Sequence, residues 1–170
     1  MVIHGFKLLG GIRGETVAGQ GATPNLVAAY TIDFASASLG LRAEFSQKQI
    51  DTENEIQSLE QSEASLGITA QRFIDLDTLS FSLGVLVEGV ALRQSFDARG
   101  DAPERIGYGL GFGAVLGIER SLWGRISLRL EGGPRSYLFS QAVVDGGEAI
   151  GRELKTPLTW TANAGLVVRL

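Results

Sequence analysis

Residues 106–119 read IGYGLGFGAVLGIE, and this stretch decides the fold. Apolar and aromatic side chains occupy every second position, and the positions between them are mainly glycine. Such alternation over fourteen residues predicts a β-strand with one apolar face, because successive side chains of a strand point to opposite sides. The apolar part has twelve steps of about 3.3 Å, and a tilt near 40–45° reduces that length to about 30 Å. The strand is therefore long enough to cross the hydrocarbon core of a bilayer.

Seven other segments show the same period of two, and they are spread evenly over the 170 residues. One face of each carries leucine, isoleucine, valine, alanine or aromatic residues, and the other carries small and charged residues. The segments are 6–13, 26–34, 39–46, 64–71, 79–88, 125–131 and 158–170. With 23 glycines, 4 prolines and no break in composition, the sequence predicts a single all-β domain, residues 1–170.

The connections between these segments alternate in length. Those at 35–38, 74–78 and 120–124 are short, and those at 14–25, 47–62, 94–105 and 141–157 are long. Short and long connections therefore lie at opposite ends of the sheet, and an even number of strands places both termini at the short-turn end. The pattern predicts an eight-stranded antiparallel up-and-down transmembrane β-barrel with short periplasmic turns and long extracellular loops.

Alternation alone does not say which face is outside, because a soluble lipocalin-like barrel would place its apolar face within. A soluble surface is dense in lysine and glutamate, whereas residues 106–119 offer mainly glycine on the less apolar face. We therefore expect the small and charged residues to line the interior and the apolar ones to face lipid. The expected lipid-facing residues include Leu110, Phe112, Leu116, Leu128, Trp160 and Leu166.

The expected interior charges are six basic and five acidic, so they nearly cancel. They are Lys7, Arg13, Asp33, Arg42, Glu44, Glu88, Glu119, Arg125, Arg129, Glu131 and Arg169. Buried charges are tolerated only when they are paired. Pairing across the short turns is expected to place Asp33 beside Arg42, and Glu119 beside Arg125.

Aromatic residues cluster at both ends of the predicted strands, which favours two interfacial girdles. Phe34, Phe73, Phe81 and Trp123 lie near the short turns, and Tyr108, Tyr137, Phe139 and Trp160 lie near the long loops. Tyr137 and Phe139 follow Gly132-Gly133-Pro134 on the opposite parity from Leu130. A β-bulge at the Gly-Gly-Pro sequence would turn both rings outward and would accommodate a proline that cannot donate a ladder hydrogen bond.

The sequence offers little material for catalysis or metal binding. It has no cysteine and a single histidine, His4, which is expected on the lipid-facing parity at the short-turn end, far from the long loops. One histidine without cysteine cannot form a His-based metal site, and the Gly107-to-Gly113 glycines lie inside a strand and open no nucleotide-binding helix. No cofactor is therefore expected, and a net charge of −4 argues against a nucleic-acid partner.

The connection 47–62 is rich in carboxylates and contains a single lysine, Lys48. Its acidic residues are Asp51, Glu53, Glu55 and Glu60. Such a loop is usually only solvated, but it could bind divalent cations or a basic partner surface.

Through its eight alternating segments and its terminal run from Ala164 to Leu170, AGLVVRL, the chain resembles the small outer-membrane barrels typified by OmpA and OmpX. The resemblance covers the whole length and is one of architecture. It implies a Gram-negative outer-membrane location, contact with outer-membrane lipid and lipopolysaccharide, and insertion by the outer-membrane assembly machinery. Members commonly end in phenylalanine, whereas this chain ends in Leu170. No signal peptide is recognisable, so an export signal is expected to have been removed.

Two functions stay open at this point. One is a non-catalytic structural or adhesion-like role through the long loops. The other is a porin-like, narrow passage for ions or small solutes. A lipid A-modifying enzyme is a distant third, because such barrels use a histidine near the extracellular rim and His4 lies at the other end.

Overall fold

The computed structural model describes residues 2–15, 22–51, 57–98, 105–145 and 148–170, and these form nine strands. Their bounds are β1 (Ile3–Glu15), β2 (Thr23–Asp33), β3 (Ala37–Asp51), β4 (Gln57–Asp75), β5 (Ser80–Ala98), β6 (Arg105–Trp123), β7 (Ile126–Asp145), β8 (Glu148–Lys155) and β9 (Leu158–Arg169). The part of the chain that is described contains no helix long and apolar enough to cross a bilayer.

The strands close into one antiparallel barrel. Each strand from β1 to β7 pairs with its neighbour in the chain, and β9 pairs with both β7 and β1. Because β8 and β9 pair with successive parts of β7, they form a single barrel strand that is interrupted at residues 156–157. The N–H of Tyr137 donates to the carbonyl of Pro157 at this interruption, over 3.2 Å. The predicted fold, an eight-stranded antiparallel closed barrel, is confirmed.

The period of two in the sequence becomes the two faces of the barrel wall. Along β6, Leu110 is 54% exposed and Phe112 45%, whereas Val115 and Glu119 are buried. Most exposed residues of the other strands are likewise apolar, and most of the buried ones are polar or charged. A water-soluble protein has the opposite arrangement. The outer surface of this barrel is therefore apolar and suited to contact with lipid. The sequence predicted this, because the face with glycine and charged residues was assigned to the interior.

The hairpins opposite the short turns are longer than the alternation indicated. β3 pairs with β4 as far as Asp51 with Ser58, within the expected loop 47–62. β7 pairs with β8 as far as Asp145 with Glu148, within the expected loop 141–157. The strict apolar alternation ends before these residues, but the hydrogen-bonded ladder continues through them. Most residues of the predicted loops 47–62 and 141–157 therefore belong to strands.

The expected bulge at Gly132-Gly133-Pro134 is absent, and that prediction is wrong. The β7–β9 register runs unshifted from Ile126 with Val168 to Ser136 with Leu158. Pro134 interrupts the ladder to β6 without adding a residue, because it has no N–H to donate. Gly133 allows this, since a Cβ there would collide with the carbonyl oxygen of Ala114. The parity of β7 is therefore preserved, and Tyr137 is fully buried inside the barrel.

Candidate functional site: the charged interior and its loop-end mouth

A continuous chain of ion pairs crosses the barrel interior. From the short-turn end it runs from Asp33 to Arg169 (3.2 Å) and on to Glu119. Arg129 then joins Glu119 (3.4 Å) to Glu131 (2.7 Å). Glu131 pairs in turn with an arginine of β3, so the chain reaches the opposite wall.

The second half of this chain rises toward the long-hairpin end. Arg42 joins Glu131 to Glu44, the latter over 3.0 Å. Arg135 then bridges Glu44 (2.9 Å) and Glu88 (3.3 Å). Nine alternating charges from β2, β3, β5, β6, β7 and β9 are thus linked, and most of them are almost completely buried.

Neutral polar groups complete the network. The Nη2 of Arg129, which is 0% exposed, donates to Gln71 (2.7 Å) and Ser82 (2.9 Å). Asn25 donates to Glu44 over 2.9 Å, and Ser65 donates to Glu88 over 2.7 Å. Hydrogen bonds of this kind satisfy lone pairs that the ion pairs leave free, which a buried ionic network requires.

Ten of the eleven charges that the sequence placed inside lie in the interior or on its inward parity. The exception is Arg125, which lies exposed in the Gly124–Arg125 turn between β6 and β7. Neither expected pair forms between the described residues: Asp33 pairs with Arg169 instead of Arg42, and Glu119 pairs with Arg129 and Arg169 instead of Arg125. The interior ion pairs cross the lumen between strands that are far apart in the sequence. Pairing of two strands across a short turn therefore does not predict them.

Three interior residues were missed by sequence reasoning. Arg135 and Tyr137 had been displaced to the outer face by the assumed bulge, although unbroken parity from Arg129 would have placed both inside. Glu63 precedes the segment in which alternation became visible, and it pairs with Arg13. The guanidinium of Arg13 also lies over the ring of Tyr137, 4.7 Å from its centroid.

With these additions the described interior carries six cations and six carboxylates. The cations are Lys7, Arg13, Arg42, Arg129, Arg135 and Arg169, and the carboxylates are Asp33, Glu44, Glu63, Glu88, Glu119 and Glu131. The positive and negative charges of these interior residues are therefore equal in number, whereas the sequence had predicted one more positive than negative.

Two glycines of β6, Gly109 and Gly111, make room for side chains of β7. Gly109 lies opposite Phe139, and a Cβ at Gly109 would be 2.7 Å from that ring. Gly111 lies opposite Tyr137, whose Cε1 would be 2.8 Å from a Cβ, and the Tyr137 hydroxyl donates to Glu88 over 3.1 Å. Glycine on one strand thus makes room for large side chains on the next, which fill the lumen.

The outer surface carries the residues expected to face lipid. Leu110, Phe112, Leu116, Leu128, Trp160 and Leu166 are all exposed. Of the expected aromatic girdles, Phe34, Phe81, Trp123, Tyr108 and Trp160 are exposed, whereas Phe73, Tyr137 and Phe139 are on the inward parity. The girdles are therefore sparser than predicted.

The remaining candidates lie apart from the interior. Glu53 and Glu55 are outside the described residues, as is the side chain of Asp51. Glu60 is exposed and accepts a hydrogen bond from Gln47. His4 is exposed near the start of β1, and its Nδ1 lies 2.5 Å from the hydroxyl of Tyr30. Among the described residues, no group of three or more His, Asp or Glu side chains is placed to hold a metal ion.

The fold is similar to that of solved outer-membrane barrels. Neisserial surface protein A superposes with a TM-score of 0.68 at 10% sequence identity, over 99% of this chain and 97% of that one. A major outer membrane protein of Thermus thermophilus gives 0.59 at 11% identity, over 98% and 99% of the two chains. Ail, the attachment invasion locus protein of Yersinia pestis, gives 0.54 at 10% identity, over 98% and 97%.

At the level of sequence no family model matches the chain, and no curated protein matches it. Identities near 10% carry the fold alone. The chain has the architecture of a small outer-membrane β-barrel, as its resemblance to OmpA-like and OmpX-like barrels implied.

Proposed function

We propose that this chain is a non-catalytic integral outer-membrane protein that is closed to ions and acts at the cell surface through its long-hairpin end. The apolar outer surface would contact outer-membrane lipid and lipopolysaccharide, and the outer-membrane assembly machinery would insert the barrel. Two of the similar structures are named a surface protein and an attachment protein, and those names support a surface role.

The observation that supports closure is the set of ion pairs that cross the described part of the lumen. Arg129, Glu131, Arg42, Glu44 and Arg135 link opposite walls of the barrel through direct ion pairs. An eight-stranded barrel encloses a space that side chains can fill. Here Phe139, Tyr137 and Arg135 occupy the space beside three glycines of β6, at positions 109, 111 and 113. This favours closure over the alternative of a narrow pore.

The absence of catalysis is supported by the position of His4. It lies on the outer face near the chain terminus, where its ring contacts Tyr30. General-base catalysis needs a base within hydrogen-bond reach of a nucleophile and a substrate. At the long-hairpin end, by contrast, the carboxylates Asp51, Glu53, Glu55 and Glu60 would give the surface an acidic character suited to a cationic partner.

One reconstitution tests both parts of this proposal. Purified protein in planar bilayers should give no stable single-channel current in molar KCl, since the ion pairs across the described interior would block ions. In vesicles, the same protein should bind polylysine-coated beads, and replacing Glu53, Glu55 and Glu60 by glutamine should abolish that binding. Replacing Asp75 and Asp77 by asparagine at the short-turn end is the matched control.

Stable currents that disappear on changing Arg129 would overturn closure and favour the pore. Equal bead binding by the triple glutamine variant and the control variant would remove the acidic surface from the proposal. Heat-dependent gel migration of each variant verifies that the barrel is folded.

A further inference from the structure

A small polar cavity lies at the long-hairpin end of the interior, above the ion-pair chain. Its volume is about 30 Å³, the space that one water molecule or one monatomic ion occupies. The polar side chains that line it come from β1, β2, β3 and β4. They are Arg13, Thr23, Ser46, Lys48, Gln61 and Glu63.

The charges of the described residues that line this cavity do not cancel. Glu63 is engaged by Arg13, so that pair is neutral. Lys48 has the inward parity of Arg42, Glu44 and Ser46, and no carboxylate of the described residues lies within ion-pair distance of it. The interior below carries equal numbers of cations and carboxylates. Among the described residues, Lys48 therefore gives the cavity one excess positive charge.

The other polar groups of the cavity can donate hydrogen bonds to a negative atom. Ser46 and Thr23 each carry a hydroxyl. Arg13 has N–H groups in addition to the one that contacts Glu63. Lys48 contributes an ammonium with three donors. Several donors around an ion-sized space with one excess positive charge are what a small anion requires.

We propose that this cavity, built around Lys48 and Arg13, is a binding site for one small anionic atom: a halide ion or a single oxygen of an acidic group. The cavity would bind an anion, whereas the acidic residues at 51–60 would bind a cationic partner. The two proposals are therefore independent. It stands at the mouth of a closed barrel, where the ion-pair chain prevents the anion from passing further.

Chloride itself is the test ligand. The ³⁵Cl NMR line of a chloride solution containing the folded protein in zwitterionic detergent should be broadened beyond that of detergent alone. Lys48→Met should remove the excess broadening, and Lys48→Arg should restore at least half of it, because an arginine keeps the charge. Arg120→Met, which removes an exposed cation at the opposite end, should leave the broadening unchanged.

Equal broadening by Lys48→Met and Arg120→Met would mean an adventitious ion only and would overturn the site. Formate distinguishes the two sources of the anion. If millimolar formate removes the broadening, the site accepts a carboxylate oxygen. If formate has no effect while Lys48→Met still abolishes the broadening, the site takes a halide alone.

Discussion

At the scale of single residues, Tyr137 shows how the interior is assembled. Its ring is fully buried, stacks on Phe139 at 5.8 Å between centroids and lies beneath the guanidinium of Arg13. Its hydroxyl donates to Glu88. One side chain from β7 thus connects carboxylate, cation and aromatic ring, and it fits only because the residue opposite on β6 is glycine.

Gly111→Ala should therefore destabilise the barrel, whereas Gly107→Ala should not. An added Cβ at Gly111 would lie 2.7 Å from Cγ of Glu88 and 2.8 Å from the Tyr137 ring, but a Cβ at Gly107 would meet nothing within 4 Å. We expect about 1–3 kcal/mol lost from the free energy of unfolding at Gly111, the usual cost of overpacking. Urea unfolding in lipid vesicles measures both variants. Equal stabilities would show that Tyr137 does not occupy the space above Gly111.

At the scale of elements, β6 and β7 show which features of the barrel could be predicted from the sequence and which could not. Alternation located both strands and their lipid-facing sides, because the period of two is a local property of each strand. It did not locate the partners of Glu119 or Arg42, since those contacts cross the lumen. Pro134 suggested a bulge that the structure does not contain. A missing N–H can interrupt a ladder without shifting the register, and the sequence alone does not distinguish this from a bulge.

The outer face of β6 gives a prediction of its own. Leu110→Arg should reduce the free energy of unfolding in a bilayer by about 2–4 kcal/mol, because a guanidinium on the lipid face near the midplane lacks water and partners. Leu122→Arg, placed at the short-turn end of the same strand, should cost about 1 kcal/mol or less, since its charge reaches the interface. A larger cost at Leu122 than at Leu110 would contradict the placement of the membrane along β6.

At the scale of the whole molecule, the ion-pair chain couples strands on opposite walls. Arg42 of β3 and Glu131 of β7 pair directly, although 89 positions separate them in the chain. Replacing either residue leaves a buried charge with one partner fewer, whereas replacing both removes the two charges together. The double change Arg42→Met with Glu131→Gln should therefore cost less than the sum of the single changes.

The expected coupling is about 0.5–3 kcal/mol, obtained from urea unfolding of the four proteins in vesicles. Arg42→Met combined with Asp33→Asn is the comparison, because these two side chains are joined only through several intermediates. A coupling for that comparison as large as for Arg42 with Glu131 would argue against the direct pair.

The same charge pattern bears on how the chain enters a membrane. Among the residues whose side chains are described, the inward charges of β5 and β6 are the carboxylates of Glu88 and Glu119, whereas β7 with β9 supplies three arginines and one glutamate. A hairpin inserted by itself would expose uncompensated charge to hydrocarbon, at a cost of several kcal/mol for each group. Only the closed ring brings the charges of the ion-pair chain to their counterparts. Insertion and closure should consequently occur as one cooperative event, with no stable intermediate of half a barrel.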